Sequence, residues 1–386
     1  MSKTSVRLVI LTEIIAPYRI PVFNALAGQP GIDLNVIFLA ETNATLRQWR
    51  VYKDEIGFSY QVLPSWRLRF GGIELLVNRG VSAALNKADP EVILCGGYNY
   101  AASWSALLWA RRRGVRFVLW SESNRYDARR ELRSVEFLKA YFLRRCDGFV
   151  VPGKASFEYL SALGSAESNI SIAPNAVDND LFASQAELAK LHAAEFREKL
   201  KLPSRFILFV GRLVPEKGVF DLLDAYAKLD SSLRSEVGLV FAGDGVSRAE
   251  LAGKAKRISP GMVCFPGFAQ REDLAGLYAL ADVLVLATHS DPWGLVVNEA
   301  MACGLPIIVT NVAGCSASLV ENGWNGFVVA PKDSEKLSEA IDSVVRQPEL
   351  RQQMSVRSLE RIRNYSPEAC ANGLAAAAIW SGAEGR

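Results

Sequence analysis

An α/β protein built from two doubly wound, Rossmann-like domains is what this sequence predicts, and three observations carry that reading. Short, near-continuous apolar runs of strand length alternate with longer stretches whose apolar residues recur at helical spacing. That is the pattern of a parallel sheet buried on both faces. The alternation stops near Asn175 and restarts at Phe206, so one such sheet follows another. The chain has 386 residues, 50% of them hydrophobic and 22% charged, enough to bury more than one core and too apolar for a disordered chain.

In the first half, Val6 to Leu11, Leu34 to Leu39, Val92 to Leu94, Phe117 to Trp120 and Phe149 to Val151 read as strands. Pro21 to Ala27, Gly80 to Lys87, Ala102 to Arg112 and Ser134 to Arg145 read as the helices between them. Glu13 to Pro21 is then a strand-to-helix loop, with Pro21 suited to a first helical turn. From Asn175 to Pro203 no strand-like run occurs, and Ala183 to Leu200 reads as one polar helix. Strands resume with Phe206 to Val210, Val237 to Ala242, Met262 to Phe265, Val283 to Ala287, Ile307 to Thr310 and Gly326 to Val329. Leu295 to Cys303 is a good helix former that starts at Gly294 and stops at Gly304. Pro367 to Trp380 is Ala-rich and helical. The expected organisation is a first domain over 1–175, a junction over 176–204, a second domain over 205–362 and a C-terminal helix over 363–386 that can return to the first domain.

Composition narrows the function classes. Lys plus Arg (44) minus Asp plus Glu (41) leaves +3, too balanced to indicate a nucleic-acid partner. Six scattered cysteines without a CxxC pair read as buried thiols in a reducing compartment, and two histidines are too few for a His-rich metal centre. The apolar run Leu8 to Leu11 is cut by Thr12 and Glu13, unlike an export signal, and no stretch reaches the ~18 apolar residues of a membrane span. A cytoplasmic protein is expected. The basic charge concentrates between Ser105 and Arg145, where eleven Lys or Arg against four Asp or Glu leave +7. A solvated helix face explains this as well as attraction to an anionic membrane surface on the inner leaflet does.

In doubly wound sheets ligands sit beyond the carboxyl ends of strands, so the loops there are where chemistry is sought. The strand Phe206 to Val210 runs into Gly211-Arg212-Leu213-Val214-Pro215-Glu216-Lys217-Gly218. Arg212 and Lys217 place two cations beside a helix N-terminus, an arrangement suited to a diphosphate, although a plain polar loop has the same look. No strand is followed by GxGxxG, since Gly243-Asp244-Gly245 lacks the third glycine, so a dinucleotide oxidoreductase is unsupported. After Val283 to Ala287 comes Thr288-His289-Ser290-Asp291-Pro292-Trp293-Gly294-Leu295, then the helix carrying Glu299. Asp291 falls in the loop, Glu299 faces the same mouth, and the amides near Gly294 and Leu295 point toward an anion with the helix dipole behind them.

Asp291-x7-Glu299 followed by Ala300-Met301-Ala302-Cys303-Gly304-Leu305-Pro306 resembles the mark of the retaining glycosyltransferases of family 4, also called group 1. Gly211-Arg212-Leu213 with Glu216-Lys217-Gly218, Phe265-Pro266-Gly267-Phe268 and Asn325-Gly326-Phe327-Val328-Val329 extend the resemblance over the second half. Ala173 to Asp178 with Phe182 is similar to the family's domain junction, while the first half matches in architecture. The resemblance implies the GT-B fold, two Rossmann-like domains facing across a cleft. It implies that Glu299 binds the ribose of a nucleoside-diphosphate sugar and that Arg212 and Lys217 bind its diphosphate. Asp291, with Trp293 and the amides of Gly294 and Leu295, faces donor sugar and phosphates, and the backbone around Gly267 and Phe268 meets the base. The leaving-group charge is met by cations and amides without a metal or other cofactor. Tyr18, Arg19 and Glu122 are candidates on the acceptor or sugar side, the acceptor being a sugar or a lipid-linked glycan.

Three departures mark this chain. The first motif carboxylate is Asp291 rather than Glu, Ser318 stands where the family commonly has Glu, and the first domain lacks the family's histidine near the donor sugar. Glu122 in Ser121-Glu122-Ser123-Asn124 is available in its place, or pairs with Arg125 or Arg116 as a surface carboxylate. Asp178-Asn179-Asp180 imitates a metal-binding Asp-x-Asp but lies in the junction; His289 packs at the strand end or touches the donor, and His192 on the polar linker helix reads as solvated. Two other functions compete with glycosyl transfer. One is a nucleotide-sugar epimerase of the same fold, which needs more acid-base groups near the sugar. The other is a sugar-nucleotide-binding module that has lost catalysis.

Overall fold

The protein is described as a computed structural model covering residues 5–43, 49–70, 73–126 and 133–379. Two compact units form: Val177–Ser366 make the second, while the first takes most of the chain up to Ala176 and resumes at Pro367.

In the first unit, β1 (Val6–Thr12), β2 (Ile32–Phe38) and β3 (Ser59–Val62) are followed by a separate antiparallel hairpin of β4 (Ser65–Phe70) and β5 (Ile73–Asn78). Then come β6 (Val92–Gly96), β7 (Arg116–Trp120), β8 (Gly148–Val151) and β9 (Ile170–Ile172). Seven strands make one parallel sheet in the order β3-β2-β1-β6-β7-β8-β9. Alternation along β1 shows why the run is apolar throughout. Leu8 and Ile10 enter one core with the helix Ile20–Ala27 and the last helix, whereas Val9 and Leu11 enter another with the helix Ala101–Arg113. Both faces are covered, so both parities must be apolar. The last helix, Pro367–Ile379, packs on Ile20–Ala27 within this unit, burying the small residues Ala371, Ala375 and Ala378.

The second unit holds β10 (Arg205–Val210), β11 (Val237–Ala242), β12 (Val263–Gly267), β13 (Val283–Leu286), β14 (Ile307–Thr310) and β15 (Gly326–Val329). They form one parallel sheet in the order β12-β11-β10-β13-β14-β15. Strand order reverses between β10 and β13, which makes the loops after these two strands neighbours at a topological switch point.

The structure departs from the sequence reading in two places. The polar helix expected over Ala183 to Leu200 is two helices, Asn179–Leu191 and Ala193–Leu200, because His192 between them leaves helical angles (φ −108°, ψ 27°). Asp178 begins the first of them by accepting a 2.9 Å hydrogen bond from the Leu181 amide, an N-cap role. The strands β3, β4, β5 and β9 escaped the pattern. β9 has three residues and β3 is an edge strand with exposed positions, so neither carries the continuous apolar run of a central strand.

Candidate active site

The second unit's switch point collects the sequence-predicted residues. Gly211 leaves β10, and its amide donates to the Ala242 carbonyl at 3.0 Å. Leu213 N–H donates to Asp244 O at 2.9 Å, tying this loop to the one after β11. A short 3₁₀ turn, Pro215–Lys217, carries Lys217. Gly218 closes the turn at φ +67°, and a Cβ there would lie 1.8 Å from the Ala287 carbonyl oxygen. Only glycine lets these two loops approach so closely. The contact is reinforced by Glu216, whose carbonyl accepts from the His289 amide at 2.8 Å and from the Thr288 hydroxyl at 3.1 Å.

Across this junction Lys217 Nζ meets Asp291 Oδ2 at 2.5 Å, with both side chains mostly buried. The helix Leu295–Ala302 starts from Gly294 at φ +97°, and no side chain caps it. Its first turn therefore opens on the same loops, with the positive end of the helix dipole available to an anion. Arg212 is exposed and, among the described residues, forms no ion pair, whereas Lys217 does. Gly267 ends β12 with its carbonyl accepting from the Gly243 amide at 2.8 Å, and the adjoining Phe268 is exposed.

Glu299 accepts a 2.6 Å hydrogen bond from the hydroxyl of Tyr278, which lies on the helix Arg271–Leu280 and is fully buried. Part of the residue still reaches solvent, yet its carboxyl is crowded by protein. Burial pushes it up to about 7, with the Tyr278 hydroxyl pulling the other way. Tyr278 itself is raised well above the usual phenol range by its burial and by the neighbouring carboxylate.

Trp293 departs from its expected role. Its ring is buried, its indole N–H donates to Asn298 Oδ1 at 2.8 Å, its amide donates to Asp291 Oδ1 at 3.2 Å and its carbonyl accepts from Cys315 N. Every polar group of the residue is engaged in shaping the loop. His289 pairs with Asp221, on the helix Val219–Lys228, and so braces the strand end. Ser318 contributes its carbonyl to the Tyr365 hydroxyl at 3.0 Å. Tyr278, Asn298 and Asp221 were not singled out by the sequence: Tyr278 and Asp221 act on residues that only the fold brings near, and Asn298, five residues from Trp293, meets the indole only because the ring turns inward.

The first unit's candidates form their own cluster. Arg19, at the end of the loop after β1, stacks over the Trp120 ring at 3.9 Å and pairs with Glu122 after β7. Glu122 thus finds its partner across the sheet in Arg19 rather than in Arg125 or Arg116. Tyr18 packs edge-on against Trp49 at 5.9 Å. In the basic segment, Arg111 pairs with Asp147 at 3.0 Å, Arg112 and Arg113 are exposed, and Arg129 and Arg130 lie outside the described residues.

Two parallel-sheet units, the second with cation, carboxylate and an open helix end at its switch point, define a protein of the GT-B fold. The family described as glycosyl transferases group 1 matches residues 193–361, and glycosyltransferase family 4 matches residues 25–181. Both models describe glycosyltransferases, one matching most of the first unit and the other most of the second. A glycogen synthase of Mycobacterium tuberculosis is 28% identical over 60% of this chain and 53% of its own length. An α-D-kanosaminyltransferase of Streptomyces kanamyceticus is 32% identical over 42% of each chain. This chain spans about half the length of the curated relatives it matches. Among solved structures, Anabaena HepE in complex with UDP superposes with a TM-score of 0.72 at 18% identity, covering 95% of this chain and 98% of that one. A glycosyltransferase of Rickettsia africae gives 0.73 at 16% identity over 96% and 97%.

Proposed function

We infer that the protein is a retaining, metal-independent glycosyltransferase that moves a hexose-type sugar from a nucleoside-diphosphate sugar to an acceptor hydroxyl in polysaccharide or other glycan synthesis. The observation that carries this reading is the Lys217–Asp291 pair at the switch point, with the uncapped helix start beside it and Glu299 one helix turn and a half further on. HepE was solved with UDP and with UDP-glucose, and the shared fold supports a nucleotide-sugar donor here.

In this reading Glu299 accepts hydrogen bonds from the ribose hydroxyls, and Arg212 and Lys217 hold the diphosphate. Asp291 and the backbone at Gly294 and Leu295 face the sugar, while Gly267 and Phe268 frame the base. The acceptor oxygen bonds to the anomeric carbon on the face that the diphosphate vacates. The C–O bond to phosphate breaks, and a diphosphate oxygen takes the acceptor's proton. Negative charge on the leaving group peaks in the transition state, where fixed cations and a helix dipole stabilise it most. Arg19 and Glu122, with Tyr18, serve the acceptor or sugar side. Exposed Arg112 and Arg113 would draw the protein to anionic lipid at the cytoplasmic leaflet, where a lipid-linked acceptor lies.

Thermal-shift screening of UDP-, GDP- and other nucleotide-sugars identifies the donor, since binding stabilises the fold by mass action. Donor hydrolysis is then measured without acceptor, and transfer with a polyprenyl-diphosphate sugar. Retention of the anomeric configuration in the product supports the proposal. Donor binding with neither hydrolysis nor transfer points to a binding module, and interconversion of the donor sugar points to an epimerase.

A further inference from the structure

We propose that the β4–β5 hairpin is a membrane-docking element whose apolar face enters the interfacial region of an anionic bilayer. The register pairs Trp66 with Val77 and Leu68 with Leu75, so these four side chains share one face of a two-stranded sheet. They are exposed by 48%, 37%, 45% and 49% respectively. The opposite face is tied to the unit. Leu76 is buried, Arg67 donates to the Thr42 carbonyl at 3.2 Å and reaches the Glu13 carboxylate at 3.6 Å, and Asn78 Nδ2 donates to the Leu39 carbonyl at 2.6 Å. The hairpin is therefore anchored by its polar face while its apolar ladder is left part-exposed by the described residues.

Its chemistry selects the occupant. The Arg79 guanidinium lies 5.4 Å from the Trp66 ring, pairing an amphipathic aromatic with a cation at the rim of the ladder. That combination suits the headgroup boundary, where tryptophan rings settle and arginines reach phosphate. From Pro64 to Gly80 three Arg against one Glu leave +2. β5 packs beside the helix Ala101–Arg113, whose Trp104 stacks on Tyr141 of the helix Arg133–Leu143, and that helix exposes Phe137 and Leu138. A second copy of the chain is a poorer occupant. Four partly exposed side chains offer less than about half of the roughly 800 Å² per partner that a stable interface buries. The inference rests on the glycosyltransferase reading only in naming a lipid-linked acceptor as what the docking serves.

The test is cosedimentation of the full chain with phosphatidylcholine vesicles, with and without about one third phosphatidylglycerol, at low and physiological salt. The wild-type protein should bind the anionic vesicles and retain binding at physiological salt. Leu68→Glu with Leu75→Glu should lower vesicle affinity by about tenfold or more, because two apolar insertions become anionic. Its thermal unfolding and its calorimetric affinity for UDP should match wild type, and Trp66→Ser with Leu68→Ser serves if the first variant fails to fold. Wild-type vesicle binding by the variants, or no binding by the wild-type protein at low salt, overturns the proposal. So does a concentration-dependent dimer that the variants dissolve, which would assign the ladder to a second copy. Absent UDP binding with intact vesicle binding would instead overturn the reading of the switch-point site.

Discussion

Lys217 Nζ lies 2.5 Å from Asp291 Oδ2, joining the loop after β10 to the loop after β13 at the point where the second sheet reverses its strand order. The two residues are 74 positions apart, and neither loop meets the other without the parallel sheet between them. In the proposed function the Lys217 ammonium exchanges this carboxylate for the donor diphosphate.

Lys217→Ala should lower turnover more than donor affinity, because the charge it meets is largest in the transition state. A loss of about 10²–10³-fold in kcat is expected, the usual effect of removing one preorganised stabilising group. Arg212→Ala should act in the same direction. Steady-state kinetics with wild-type kcat in both variants would exclude these residues from leaving-group stabilisation.

Glu299→Ala should weaken nucleotide binding by roughly 1.5–3 kcal/mol through loss of hydrogen bonds to a charged acceptor. Isothermal titration with the nucleoside diphosphate measures it directly. Unchanged affinity removes Glu299 from the ribose site.

The raised Glu299 carboxyl makes a pH prediction of definite sign. Its ordinary value is 4.5 and its folded value is about 7, so between these the folded state binds the extra proton and the unfolded state does not. Stability therefore falls as pH rises from 4.5 to about 7, by on the order of 2–3 kcal/mol at most, and is flat in this respect outside that window. Glu299→Gln should flatten the melting temperature across that range. Nucleotide affinity should rise with pH through about 7 as the carboxylate ionises. A wild-type affinity that is level from pH 5.5 to 8.5, or a Gln variant that keeps the slope, would contradict the assignment.

Gly218→Ala should destabilise the second unit by about 2–4 kcal/mol, since its Cβ would strike the Ala287 carbonyl at a positive φ. Chemical denaturation followed by circular dichroism reports the loss. A variant as stable as wild type would mean that the loops separate at little cost.

Transfer should continue in EDTA. Arg212, Lys217 and the helix start at Gly294 are placed to do what a divalent ion does elsewhere, and the Asp178 carboxylate of the Asp-x-Asp look-alike is engaged as a helix cap. Activity abolished by chelation and restored by magnesium or manganese would refute this.

What the sequence by itself determined was the parallel-sheet architecture and the order of chemical groups along the chain. Continuous apolar runs such as Phe206 to Val210 have no stable alternative to burial on both faces, and the spacing from Asp291 to Glu299 fixes one residue in the loop and the other in the helix. Local pattern was also enough to start a helix at Gly294, where a positive φ is required. Tertiary structure alone decided partners. It turned the Trp293 ring inward onto Asn298, buried the Glu299 carboxyl and so raised it while Tyr278 donates to it, and joined Arg19 after β1 to Glu122 after β7, two strands away at the same end of one sheet. It also left Trp66, Leu68, Leu75 and Val77 part-exposed on one face of a hairpin that the sequence reading did not assign. The reason is physical. Periodicity encodes which face of an element is apolar, whereas the energy of a carboxylate depends on groups from other elements that only the assembled unit brings within hydrogen-bond reach.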